Sequence, residues 1–105
     1  MALRDEKCES CTEGTPPLGT EEIRTLAQQT PEWTVHDKSI ERSWTFADFR
    51  AAMVFVNRVA DIAEEQGHHP DIYISYNKVR LELSTHKIGG LSRNDFLLAA
   101  KIDTL

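Results

Sequence analysis

Apolar residues recur along this chain at two different spacings, and the switches between them mark out its elements. After a polar stretch punctuated by Gly14, Pro16, Pro17 and Gly19, the residues Ile23, Leu26 and Ala27 fall at helical spacing. Thr20 is the expected N-cap of that helix, Glu21 and Glu22 suit the positive first turn, and Pro31 ends it. Trp33-Thr34-Val35-His36 and Ile40-Glu41-Arg42-Ser43-Trp44 then alternate around Asp37-Lys38, which is the pattern of a hairpin. Arg42 shares a face with Ile40, Trp44 and Phe46, so its stem is expected to be buried with its head at an edge.

Thr45-Phe46-Ala47-Asp48 reads as a variant capping box, with Asp in place of Glu, that opens the longest helix and carries it to about Gln66. Phe49, Ala52, Met53, Val56, Ala60 and Ala63 form one stripe on it, widened by Phe55, Val59 and Ile62, enough for a core and for a partner subunit besides. Gly67 supplies a left-handed cap and Pro70 keeps the helix from resuming. Ile72-Tyr73-Ile74-Ser75-Tyr76 and Val79-Arg80-Leu81-Glu82-Leu83 alternate on either side of Asn77-Lys78, where Asn tolerates the left-handed backbone of a tight turn. Ser92 and Asp95 resemble a second capping box, ahead of an amphipathic helix bearing Phe96, Leu97, Leu98, Ala100, Ile102 and Leu105.

The order α-β-β-α-β-β-α predicts an α+β two-layer sandwich: a four-stranded antiparallel sheet with helices on one face. Val79, Leu81 and Leu83 should face the helices, and the same alternation sends Ser84 and His86 to the opposite, polar face.

A length of 105 residues bounds one small domain, assigned to 20–105, with 1–19 as a tail or extended arm. A net charge of -5 argues against nucleic acid as a direct ligand. No apolar run approaches the roughly 20 residues that span a bilayer. Met1-Ala2-Leu3-Arg4-Asp5 does not begin a secretory signal either, so a cytoplasmic protein with no membrane partner is expected. Cys8 and Cys11 make a Cys-x-x-Cys pair, but a structural zinc needs a second pair and a redox dithiol a βαβ setting; both are missing, and the pair is expected to be non-catalytic.

Three of the four histidines lie between Glu64 and Asp95. The second hairpin should bring its outer ends together, and with them His68 and His69 near His86. Imidazoles accept and deliver protons near neutrality, and a carboxylate such as Glu64 or Asp95 beside one can fix its tautomer. Any one of these histidines could be an ordinary surface or capping residue; their convergence with two carboxylates favours a site. A three-histidine zinc site competes, but adjacent His68 and His69 rarely turn both rings to one ion, so no metal is expected.

One acidic residue, three residues, His-His-Pro, five residues, an aromatic, nine residues, His, eight residues and Asp: this spacing is filled by Glu64, His68-His69-Pro70, Tyr76, His86 and Asp95. It resembles the signature of the pterin-4a-carbinolamine dehydratases. The resemblance continues through Tyr76-Asn77-Lys78-Val79, Leu83-Ser84-Thr85-His86 and Gly90-Leu91-Ser92, and covers the chain from Pro17 onward. Gly67 and Asn94 stand where members often carry Asp and Arg, with Arg93 displaced by one position. The resemblance implies a hydro-lyase that dehydrates 4a-hydroxytetrahydrobiopterin to quinonoid dihydropterin without metal or organic cofactor, recycling the pterin of aromatic amino-acid hydroxylases. It implies His68 and His86 as the acid/base pair, His69 as the pterin-orienting residue, and Glu64, Pro70, Ser84, Thr85 and Asp95 as lining or supporting residues. It further implies a homodimer or homotetramer that joins sheets and packs helices. The competing class is a non-catalytic binding module, either a dimerisation cofactor of a transcription factor or an assembly factor for the carbon-fixing carboxylase. The intact histidine set favours the enzyme.

Overall fold

The computed structural model describes residues 3–8 and 16–105, so Cys11 of the Cys-x-x-Cys pair lies outside the described residues. Its elements are α1 (Thr20–Ala27), β1 (Thr34–Val35), β2 (Ile40–Thr45), α2 (Phe49–Gln66), β3 (Asp71–Ser75), β4 (Lys78–Leu83) and α3 (Arg93–Ile102), with 3-10 turns at Leu3–Asp5 and His86–Ile88. The four strands form one sheet in the order β1-β2-β4-β3, every pair antiparallel. This is the α+β architecture and element order that the apolar pattern predicts.

Strand β4 is an inner strand, paired with β2 on one side and β3 on the other, and its alternation is clean: Val79, Leu81 and Leu83 are buried, while Lys78, Arg80 and Glu82 turn away. Its register sets Leu83 beside Ile40, Leu81 beside Arg42 and Ile72, and Val79 beside Trp44 and Ile74. That row packs with Ala52, Phe55, Val56 and Val59 of α2 and Phe96, Leu98 and Ile102 of α3. Each of the Val, Leu, Ile and Phe side chains in this set contributes about 1.5–3 kcal/mol on burial, and Leu81→Ala, at the centre, should cost about 2–5 kcal/mol. On the other face the Arg80 guanidinium lies 4.0 Å from the Tyr73 ring centre and bonds Glu41 and Glu82 at 3.2 and 3.0 Å.

Arg42 is half-buried, as its place among apolar neighbours suggests, and its head has a partner. It donates to Asp103 Oδ1 at 2.7 Å, the same oxygen that accepts from Trp33 Nε1 at 2.9 Å. Asp103, just past α3, thereby locks the end of that helix to the first hairpin.

Several local expectations are corrected. The N-cap of α1 is Gly19, not Thr20, since Glu22 Oε1 reaches back to the Gly19 N–H at 3.3 Å. The cap of α2 is Asp48, which accepts from the Ala51 N–H at 2.8 Å; Thr45 is still paired with Lys78 in the sheet and cannot cap a helix. The second hairpin turns at Tyr76-Asn77 rather than Asn77-Lys78, because Ser75 pairs with Lys78. Tyr76 takes the left-handed position, φ 53°, an uncommon place for a residue with a Cβ. Asn77 instead ties the turn to the β2–α2 connection: its Nδ2 donates to Phe46 O, and its own carbonyl accepts the Phe46 N–H, both at 2.8 Å.

Phe55, expected to widen the stripe for a partner, is buried, with its ring centre 4.8 Å from that of Trp44 and 5.1 Å from that of Phe46. The apolar residues that α2 exposes are Phe49, in its first turn, and Val54. Near the N-terminus, Leu3 inserts into the core and is 2% exposed. No described helix is long and apolar enough to cross a membrane.

Candidate functional site

Local stereochemistry carries the chain from α2 to the first histidine. Gly67 takes the left-handed conformation, φ 66° and ψ 26°, and the N–H groups of Gly67 and His68 both bond Ala63 O. This closes the helix and swings His68 back across its end. There His68 Nε2 meets Asp95 Oδ1 at 2.6 Å. Asp95 lies in the first turn of α3, where the helix dipole favours a carboxylate, and it is fully buried.

The other oxygen of Asp95 is committed as well. Oδ2 accepts the Ser92 N–H and the Thr85 hydroxyl, each at 2.9 Å. Thr85 is fixed by antiparallel pairing with Gly90, its N–H donating to Gly90 O at 3.0 Å, across the turn that Gly89 closes at φ 69°. Thr85 Oγ1 also lies 2.7 Å from Ser92 Oγ. A hydroxyl has one proton to give. Since the Thr85 proton goes to Asp95, Ser92 must donate to Thr85, which leaves a directed chain from Ser92 through Thr85 to the carboxylate.

Donor counting fixes the imidazole too. Oδ2 of Asp95 already accepts two hydrogen bonds, and an aspartate carboxylate can only accept from His68. The His68 proton therefore sits on Nε2, and in the neutral ring Nδ1 keeps a lone pair that can take up a proton. Side-chain exposure of 13% leaves that ring access to solvent or ligand, against 0% for the Asp95 side chain.

The remaining predicted residues are placed less tightly. His69 Nε2 meets Glu64 Oε2 at 2.6 Å, but both side chains are well exposed. His86 opens the 3-10 turn directly after Thr85 and is exposed; no hydrogen bond or ion pair joins its ring to another described residue. The alternation that would set His86 on the polar face of β4 does not apply, because the strand ends at Leu83. Pro70 and Ser84 are half-buried, the first just ahead of β3 and the second just past β4. The fold thus brings His68, Thr85 and Asp95 into one bonded cluster and His69 and Glu64 into a second.

Sequence reasoning recognised Ser92 as a cap but missed its hydroxyl as a member of this cluster. The capping spacing to Asp95 is visible in the chain, whereas the contact with Thr85 requires the Thr85–Gly90 pairing. Among the described residues, no group of three or more His, Cys, Asp or Glu side chains is arranged to hold a metal ion.

Known proteins share this sequence and fold. The family model described as pterin 4 alpha carbinolamine dehydratase matches residues 16–105. A provisionally named pterin-4-alpha-carbinolamine dehydratase of Rubrobacter xylanophilus is 47% identical over 104 residues, covering 98% of this chain and 97% of its own. A like-named protein of Nitrosomonas eutropha is 45% identical, covering 98% of this chain and 92% of its own. The crystal structure of a transcriptional coactivator/pterin dehydratase from Brucella melitensis superposes with a TM-score of 0.79 at 30% identity, covering 84% of this chain and 96% of that one. The chain belongs to the pterin 4 alpha carbinolamine dehydratase family.

Proposed function

We propose, from membership of that family and from the buried His68–Asp95 pair, that this protein is a hydro-lyase that dehydrates 4a-hydroxytetrahydrobiopterin to quinonoid dihydropterin. The reaction breaks the C4a–O bond and releases water, so a proton must reach the departing hydroxyl and another must leave the ring N5. Atoms and electrons balance without an oxidant or reductant. His68, oriented through Nε2 by Asp95, takes the ring proton on Nδ1. His86, exposed and in exchange with solvent, delivers a proton to the hydroxyl. His69, steadied by Glu64, orients the pterin, with Pro70 and Ser84 lining the site. The observation that carries this reading is the 2.6 Å bond between His68 and a fully buried Asp95. Positioned proton transfer is worth about a hundred- to ten-thousand-fold.

The test is spectrophotometric turnover of enzymatically generated carbinolamine by the wild type, His68→Ala and His86→Ala. Loss of about a hundredfold or more in kcat in the histidine variants, with folding retained, supports the roles given. Wild-type rates in both variants would end them.

The name of the Brucella melitensis protein favours a second reading, a binding module, alongside or instead of catalysis. Absence of turnover in a folded wild type would select it.

A symmetric homodimer or homotetramer accompanies the proposal. Strand β3 is a sheet edge carrying exposed Tyr73 and Ile74, and α2 exposes Phe49 and Val54. Unpaired edges and exposed apolar residues of this kind invite another copy. Light scattering on the wild type and on Val54→Glu reads it: an exclusively monomeric wild type at micromolar concentration refutes the assembly.

A further inference from the structure

His68 leaves the end of α2 and Asp95 sits in the first turn of α3, so their bond spans a junction between two helices. Residues 3–8 cross that junction and are tied to both sides of it. The Cys8 N–H donates to Gln66 Oε1 at 2.9 Å, on the last residue of α2. Cys8 Sγ lies 3.7 Å from Asn94 O, on the residue before Asp95. Arg93, the first residue of α3, donates through Nε and Nη2 to the two oxygens of Glu6 at 3.1 and 2.6 Å. Further along, Lys101 Nζ donates to Arg4 O at 2.8 Å, and Leu3 anchors the segment in the core.

We infer that residues 3–8 are a brace that sets the spacing of the His68–Asp95 pair, and that Gln66 is a positioning residue for the reaction. The inference rests on the catalytic reading of His68 above. Gln66 and Asn94 are the backbone approaches to the two partners, and Cys8 touches both. Exposed ion pairs such as Glu6–Arg93 contribute little to global stability. The brace therefore acts on geometry, where a displacement of about 1 Å can cost a factor of a hundred in rate.

The test uses the full chain. Gln66→Ala removes the acceptor of the Cys8 N–H; Gln66→Glu keeps an acceptor oxygen. Two quantities are read: kcat and KM for carbinolamine turnover, and the nitrogen-15 shifts of the His68 ring, which report its bond to Asp95 whether or not the protein turns over. Gln66→Ala should lower kcat on the order of tenfold, leave KM within about twofold of wild type, and move the His68 shifts; Gln66→Glu should restore both. Wild-type kcat and unmoved shifts in Gln66→Ala, even with a lowered melting temperature, would overturn the brace. Should Gln66→Ala not fold, Glu6→Gln decides in the same way, with wild-type values again overturning it. If the wild type lacks turnover, the dehydratase reading fails by itself and the nitrogen-15 shifts alone judge the brace.

Discussion

His68 and His69 are neighbours in the chain, and each meets a carboxylate oxygen at 2.6 Å, yet the two pairs live in different media. Asp95 is fully buried and accepts from three groups, while Glu64 and His69 stand in solvent on side chains more than half exposed. Water and salt screen the outer pair, and a surface pair of this kind is worth about 0–1 kcal/mol. The inner carboxylate cannot be re-solvated if a partner is lost, so its hydrogen bonds are both stronger and costlier to break. Equal distances therefore conceal unequal consequences: His68 is held by a buried carboxylate, His69 only steadied by a solvated one.

The comparison breaks most directly at its inner member. Asp95→Asn should lower kcat for carbinolamine dehydration about a hundredfold or more, because Asp95 fixes the His68 tautomer; turnover near wild type would put the two pairs on one footing. Thr85→Val removes a donor to the buried carboxylate and should destabilise the fold by about 1–3 kcal/mol, measured by chemical denaturation. An unchanged midpoint would mean that Asp95 finds another donor. His69→Ala should act mainly on KM, by a few-fold, which steady-state kinetics resolves from kcat. Glu64→Gln should change stability by no more than about 0.5 kcal/mol.

The smallest expected effect lies at the arm. The hydrogen bond from Arg93 holds the Glu6 carboxyl below the usual glutamate range. A carboxyl depressed in the folded state contributes stability above its unfolded value, about 4.3, and loses that contribution as the pH falls through the folded value. Docking of residues 3–8 should thus weaken in acid, seen as faster proteolysis of the arm, and Glu6→Gln should abolish that pH dependence.

Much of the fold was legible because the chain's apolar periods are clean. Val79, Leu81 and Leu83 alternate without exception, and Ala52, Val56 and Ala63 of the α2 stripe are buried, although Phe49, expected at its head, is exposed where the first turn lies beyond the sheet's cover. Where local rules failed beyond the one-residue shift of the α1 cap, a contact made by the sheet had overruled them. Thr45 was denied its cap by pairing with Lys78, and the pairing of Ser75 with Lys78 gives the left-handed position to Tyr76, leaving Asn77 in the turn to bond Phe46. Spacing alone cannot tell a wide core stripe from a second face, and for Phe55 only the aromatic packing with Trp44 and Phe46 decides it.

The sequence by itself determined the element order, the Gly67 cap, the histidine spacing and the family, since these depend on residue identity over short separations. Tertiary structure alone decided that Asp95 serves His68 and Glu64 serves His69, that Thr85 and Ser92 complete the inner carboxylate's shell, and that residues 3–8 reach the same junction. Burial and hydrogen-bond partners belong to the packed chain: whether a carboxylate is screened by water or committed to three donors depends on what folds over it, and no local pattern records that.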